Sequence, residues 1–142
     1  MYRRILIPLD NSWADEAILS HIRELGKIGP ARLWLIHVAD GHAARNQRQL
    51  NLEDSQEIRE DRAYLEKQRD SLRADGFEAE CELAVGEPAA AIVAAADRIG
   101  ADLIAMATHG HGVVKDLVLG SVASQVRHRT AVPVLLIWAR KP

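Results

Sequence analysis

Cysteine is almost absent from this chain: Cys81 is the only one in 142 residues. That excludes an intramolecular disulfide framework and fits a reducing compartment. Positive charge is not in excess either. The formal net charge is -2, so nucleic-acid binding has no electrostatic support. No apolar run approaches the length that crosses a bilayer. The opening residues, with Ile5-Leu-Ile-Pro-Leu-Asp10, hold too short an apolar run for a signal peptide, and an acid follows it. The expected location is therefore cytoplasmic, without membrane or nucleic-acid partners. No G-x-S-x-G elbow occurs, and Ser121 has no base beside it, so no catalytic residue is assigned. No cysteine pair supports a metal site. Repeats, low-complexity tracts and linkers are also missing, and residues 1–142 read as one domain.

What remains is a composition of 48% hydrophobic and 27% charged residues, that of a globular chain. Apolar runs at 4–9, 32–38, 102–107 and 132–138 read as strands, and several are apolar on both faces, as buried parallel strands are. The run 78–85 alternates instead, with Glu78, Glu80 and Glu82 on one face and Ala79, Cys81 and Leu83 on the other. One wet face places it at a sheet edge. Between the strands lie helical patterns. Ser12 is a plausible N-cap, with Asp15 approximating a capping box, before Ala14, Ala17, Ile18, His21, Ile22 and Leu25. Gly26 and Gly29 stop that helix. Residues 39–51 read as loop or as a loosely held helical start. Residues 52–74 form a charged helix with an apolar stripe at Ile58, Leu65 and Leu72, ended by Gly76. Its Glu-Arg run reads as a solvated face. Pro88 suits the first turn of the next helix, which ends at Gly100. Strand and helix alternate throughout. The fold is thus an open α/β parallel sheet of about five strands, with helices on both faces.

The stretch 106–121 carries the chemistry: M-A-T-H-G-H-G-V-V-K-D-L-V-L-G-S. Glycines 110 and 112 follow a strand, and nine residues separate Gly110 from Gly120. The Gly120-Ser121 pair is expected where a helix begins, continuing through Val122 and Val126. Glycine loops and helix N-termini both present bare backbone N–H groups to phosphate. The spacing is neither the Walker pattern nor G-x-G-x-x-G. In open sheets ligands sit beyond the carboxyl ends of the strands. Asp10, Val38 and residues 107–112 all follow strand ends. Asp10 could meet a ribose hydroxyl or a phosphate-bound Mg²⁺ through water; it could equally cap the first helix as an Asx turn. His109 and His111 read as lining the phosphate loop rather than holding a metal.

With Pro8-Leu9-Asp10 and Val132-Pro-Val-Leu-Leu-Ile137, this stretch resembles the universal stress protein A family over nearly the whole chain. The family's nucleotide-binding members carry Gly, two residues, Gly, nine residues, then Gly-Ser or Gly-Thr. Gly110 and Gly120-Ser121 match; Ala107 stands at the first glycine. Alanine there is costly if the position needs a positive φ, at roughly 1–2 kcal/mol, and costs nothing on ordinary strand angles. The resemblance implies strand order 3-2-1-4-5, a Rossmann-like, adenine nucleotide alpha hydrolase-like sheet. It implies ATP as a regulatory ligand in a stress response, with at most slow hydrolysis. The nucleotide would meet Pro8, Leu9, Asp10, Val38, Met106, Ala107, His109, Gly110, Gly112, Gly120, Ser121 and Val122. It also implies a homodimer through the last strand. That strand's Val132, Val134, Leu135, Leu136, Ile137 and Trp138 form an apolar edge of the kind that pairs with another chain. The alternative is a same-fold dimeric interaction module that binds no nucleotide because of Ala107.

Overall fold

Five parallel strands form the sheet: β1 (Arg4–Pro8), β2 (Arg32–Asp40), β3 (Glu78–Gly86), β4 (Leu103–His109) and β5 (Val134–Ala139). The computed structural model describes residues 2–40, 56–109 and 114–140, with the side chains of 40, 109 and 114–120 outside that description. The strand order is β3-β2-β1-β4-β5. The alternating strand is thus an edge, and so is the C-terminal one. Among the described residues four helices cover the sheet: α1 (Asp15–Leu25), α2 (Gln56–Ala74), α3 (Pro88–Ile99) and α4 (Val114–Arg129).

Burial explains the central strand. Ile5, Leu6 and Ile7 are all buried, which is why β1 shows no alternation. Ile5 and Ile7 face a core built with Ile18, Leu19 and Ile22 of α1 and Leu65 and Leu72 of α2. Leu6 faces a second core with Ile36, Ile104 and the alanines of α3, closed by Ala123 and Val126 of α4. Each such aliphatic side chain contributes roughly 1.5–3 kcal/mol. The small alanines let α3 lie close to the sheet. Asp102 joins β1 to the start of β4, accepting from the backbone N–H of Arg3 at 2.9 Å and of Arg4 at 3.1 Å.

Helix ends follow local chemistry. Glu87 caps α3 by accepting from Ala89 and Ala90 N–H, Pro88 follows it, and Gly100 closes the helix at φ 68°. The Ser12–Asp15 capping box is corrected. Ala14 is the N-cap of α1 and makes no side-chain cap bond. Ser12 Oγ accepts from Ala14 N–H at 3.2 Å, while the Asp15 carboxylate turns back to the N–H groups of Asp10 and Asn11. Gly26 does not end α1 through backbone freedom. Its φ is -66°, and the chain runs on into a 3-10 turn, Gly26–Ile28. A Cβ there would overlap the Phe77 ring, so clearance is what asks for glycine.

The last helix also departs from expectation. Gly120 and Ser121 lie inside α4, which begins at Val114. An isolated glycine inside a helix costs only about 1 kcal/mol, and residues 114–119 contain no proline or other breaker. Among the described residues no helix is long and apolar enough to cross a membrane.

Candidate functional site

The strand order reverses between β1 and β4, and a cavity of about 200 Å³ opens at their carboxyl ends. Such crevices are where open α/β sheets hold ligands. β1 and its exit contribute Pro8, Leu9 and Asp10; β2 contributes Ile36, His37 and Val38; β4 contributes Met106 and Ala107. Helices complete the wall with Ala14 and Asp15 of the first loop and helix, Pro88 and Ile92 of α3, and Val122 of α4. The lining is mostly apolar, with polar groups at the Asp10 side. An apolar slot with a few directed polar groups suits a flat heterocycle carrying a polar substituent.

Several expected residues therefore share one cavity: Pro8, Leu9, Asp10, Val38, Met106, Ala107 and Val122. Ala107 stands within β4, in register with Ile137. Among the described residues the only non-glycine at positive φ is Asn11, so Ala107 carries no left-handed strain. The phosphate side differs. Gly110, His111 and Gly112 lie outside the described residues, and so does the side chain of His109. Backbone N–H groups in a helix interior bond to the carbonyl one turn back. Those of Ser121 and Val122 are therefore engaged within α4 and not bare. Ser121 is exposed, and its Oγ accepts from Gln125 Nε2 at 2.8 Å.

Beneath the Asp10 loop lies a polar network that the sequence reading did not include. Asp10 N–H donates to Asp15 Oδ1 at 3.2 Å, and Asn11 N–H to Asp15 Oδ2 at 2.9 Å. Asp15 is 3% exposed. Burial, and then the nearby charge of Asp10, push its carboxyl up to about 7. Asp61 of α2 is also buried. It accepts from Asn11 Nδ2 at 2.9 Å and faces His37 Nε2 at 3.1 Å. The other ring nitrogen, His37 Nδ1, lies 2.9 Å from the Leu9 carbonyl. A carbonyl only accepts, so Nδ1 carries a hydrogen in this arrangement. His37 thus has a partner at each ring nitrogen. Among the described residues no group of three metal-binding side chains comes together.

Asp61 could have been found. Ile58, Leu65 and Leu72 mark the buried stripe, and position 61 falls on it at helical spacing. A carboxylate on an apolar stripe needs a partner, and that need was the available signal.

Residues 1–137 match the Universal stress protein family. Universal stress protein MJ0577 of Methanocaldococcus jannaschii is 29% identical over 96% of this chain and 95% of its own. The solved structure of MJ0577 superposes with a TM-score of 0.83 at 28% identity, covering 100% of this chain and 99% of that one. Universal stress protein MJ0531 of the same organism is 31% identical, covering 100% of this chain and 84% of its own. A universal stress protein of Archaeoglobus fulgidus, solved in complex with dAMP, shares the fold with a TM-score of 0.71 at 24% identity, covering 96% of this chain and 98% of that one.

Proposed function

The chain belongs to the universal stress protein family, and on that premise we propose that it binds an adenine nucleotide, ATP, as a regulatory ligand in a stress response. The observation that carries this reading is the apolar cavity at the strand-order reversal, walled by Val38 and Met106 and flanked by Asp10. Adenine would lie in the apolar part, against the backbone of Val38. Asp10 would accept from a ribose hydroxyl. The phosphates would extend toward the segment that carries Gly110 and Gly112. Mg²⁺ enters only as the counter-ion of the phosphates, near Asp10. The ligand sets conformation or partner choice in a cytoplasmic protein, with at most slow turnover. Proteins of this fold hold dAMP and, in a second case, cAMP. Likeness at 24% and 22% identity concerns the fold, so the nucleotide reading leans on the cavity.

The same reading includes a homodimer through β5, where Leu136 and Trp138 are exposed at 41% and 61%. A same-fold dimeric module that binds no nucleotide is the second reading. It is favoured by the position of Gly120 and Ser121 inside α4. Denaturing the purified protein and assaying released adenine nucleotide, together with melting across millimolar ATP and Mg²⁺, decides between them. Released nucleotide or a rise in melting temperature supports the first. Neither one leaves the second.

A further inference from the structure

Asp61 does not line the cavity, yet it touches His37, which does, and Asn11, the neighbour of the lining residue Asp10. We infer that Asp61 is a positioning residue for the ribose end of the pocket, acting through Asn11 and His37 on the loop that presents Asp10. The inference rests on the nucleotide reading above and adds to it the residue that gives the site its preference for a hydroxylated sugar.

The geometry runs in two arms from one buried carboxylate. Through Oδ1, Asp61 receives Asn11 Nδ2. Through Oδ2 it meets His37 Nε2, and the far side of that ring meets the Leu9 carbonyl. The residues on either side of Asp10 are thus both tied to α2. Asn11 itself sits at φ 60°, in the left-handed region that costs a side chain roughly 1–2 kcal/mol. The hydrogen bond its side-chain amide donates to Asp61 helps hold the chain there. The Leu9 N–H is fixed as well, donating to the Ile36 carbonyl at 2.8 Å. A leucine at position 61 would continue the stripe of Ile58 and Leu65 and bury without a desolvation penalty. A buried carboxylate at this position is explained by what it orients.

The test compares ATP with 2′,3′-dideoxy-ATP by calorimetric titration of the full chain. The wild type should prefer ATP about tenfold, the size of one hydrogen bond to a charged group. Asp61→Leu should bring the ratio near one. Asp61→Asn should keep it, because its Oδ1 accepts from Asn11 and its Nδ2 can donate to His37 Nε2. Asn11→Gly gives a second variant whose backbone is at ease at positive φ. It should lose the preference while folding normally. A wild-type ratio retained in Asp61→Leu or in Asn11→Gly overturns the inference while leaving nucleotide binding intact. A wild type that binds ATP without preferring it removes Asp10 from the ribose and the inference with it. A wild type that binds neither nucleotide overturns the nucleotide reading itself.

Discussion

The Tyr64 hydroxyl donates a 2.7 Å hydrogen bond to Asp15 Oδ2, tying α2 to the first residue of α1. Burial, and the charge of Asp15, push the Tyr64 phenol above its ordinary range, so it remains a donor. For Asp15, burial outweighs the donors: its carboxyl rises from the usual 3.8 to about 7. The folded chain therefore keeps a proton there that the unfolded chain gives up. The stability from this group is complete below 3.8 and is lost as pH rises through about 7. Asp15→Asn cannot titrate and serves as the reference. The stability of the wild type relative to Asp15→Asn should fall between about pH 4 and pH 7, by up to ~1.4 kcal/mol per pH unit, and level off above. Urea unfolding across that range measures it. A relative stability that rises with pH would mean that the three donors hold the carboxylate ionised.

Ala107 gives a prediction about the cavity. It lies on β4 without left-handed strain and forms part of the wall. Valine suits a strand, so Ala107→Val should fold. Its two added methyls reduce the space, and ATP affinity should drop about tenfold or more, as overpacking by roughly 1–3 kcal/mol would give. Ala107→Gly should bind as well as the wild type or better. Equal affinity in all three would take Ala107 out of the binding wall.

The sheet was legible because its strands are dense apolar runs separated by helices with clear ends. The buried set Ile5, Leu6 and Ile7 stands in the sequence as one unbroken apolar run. The edge position of β3 followed from its alternating glutamates. The polar network was hidden for a physical reason. The apolar stripe puts Asp61 on the buried face of its helix, but only the fold tells that Asn11 and His37 meet it there. The start of α4 was misplaced because a Gly-Ser pair resembles a helix entry, while a helix tolerates one glycine at small cost.

Gly26 gives a prediction about packing. Its backbone is ordinary, at φ -66°, but an added Cβ would overlap the Phe77 ring. Gly26→Ala should destabilise by about 1–3 kcal/mol, since the ring must move. In a Phe77→Leu background the same change should cost much less, a coupling that a double-mutant cycle reads directly. Gly76→Ala is the contrast. Its Cβ meets nothing within 4 Å, and its cost of roughly 1–2 kcal/mol would come from φ +94° alone. That cost should not change with Phe77.

The exposed edge gives the last prediction. Leu135 and Ile137 pack against the core that contains α1, while Leu136 and Trp138 point the other way and remain exposed. Large apolar side chains on an open strand edge favour a second chain. In a homodimer they would be covered, and melting would depend on protein concentration. Leu136→Lys and Trp138→Glu each place a charge in that contact. Both should sediment as monomers, and their melting should lose its concentration dependence. Their cores should stay intact, because neither side chain is buried in the monomer. A wild type that sediments as a monomer at every concentration would sink the dimer reading. The same result from the wild type and both variants would make the exposed pair a solvent-facing feature of the edge.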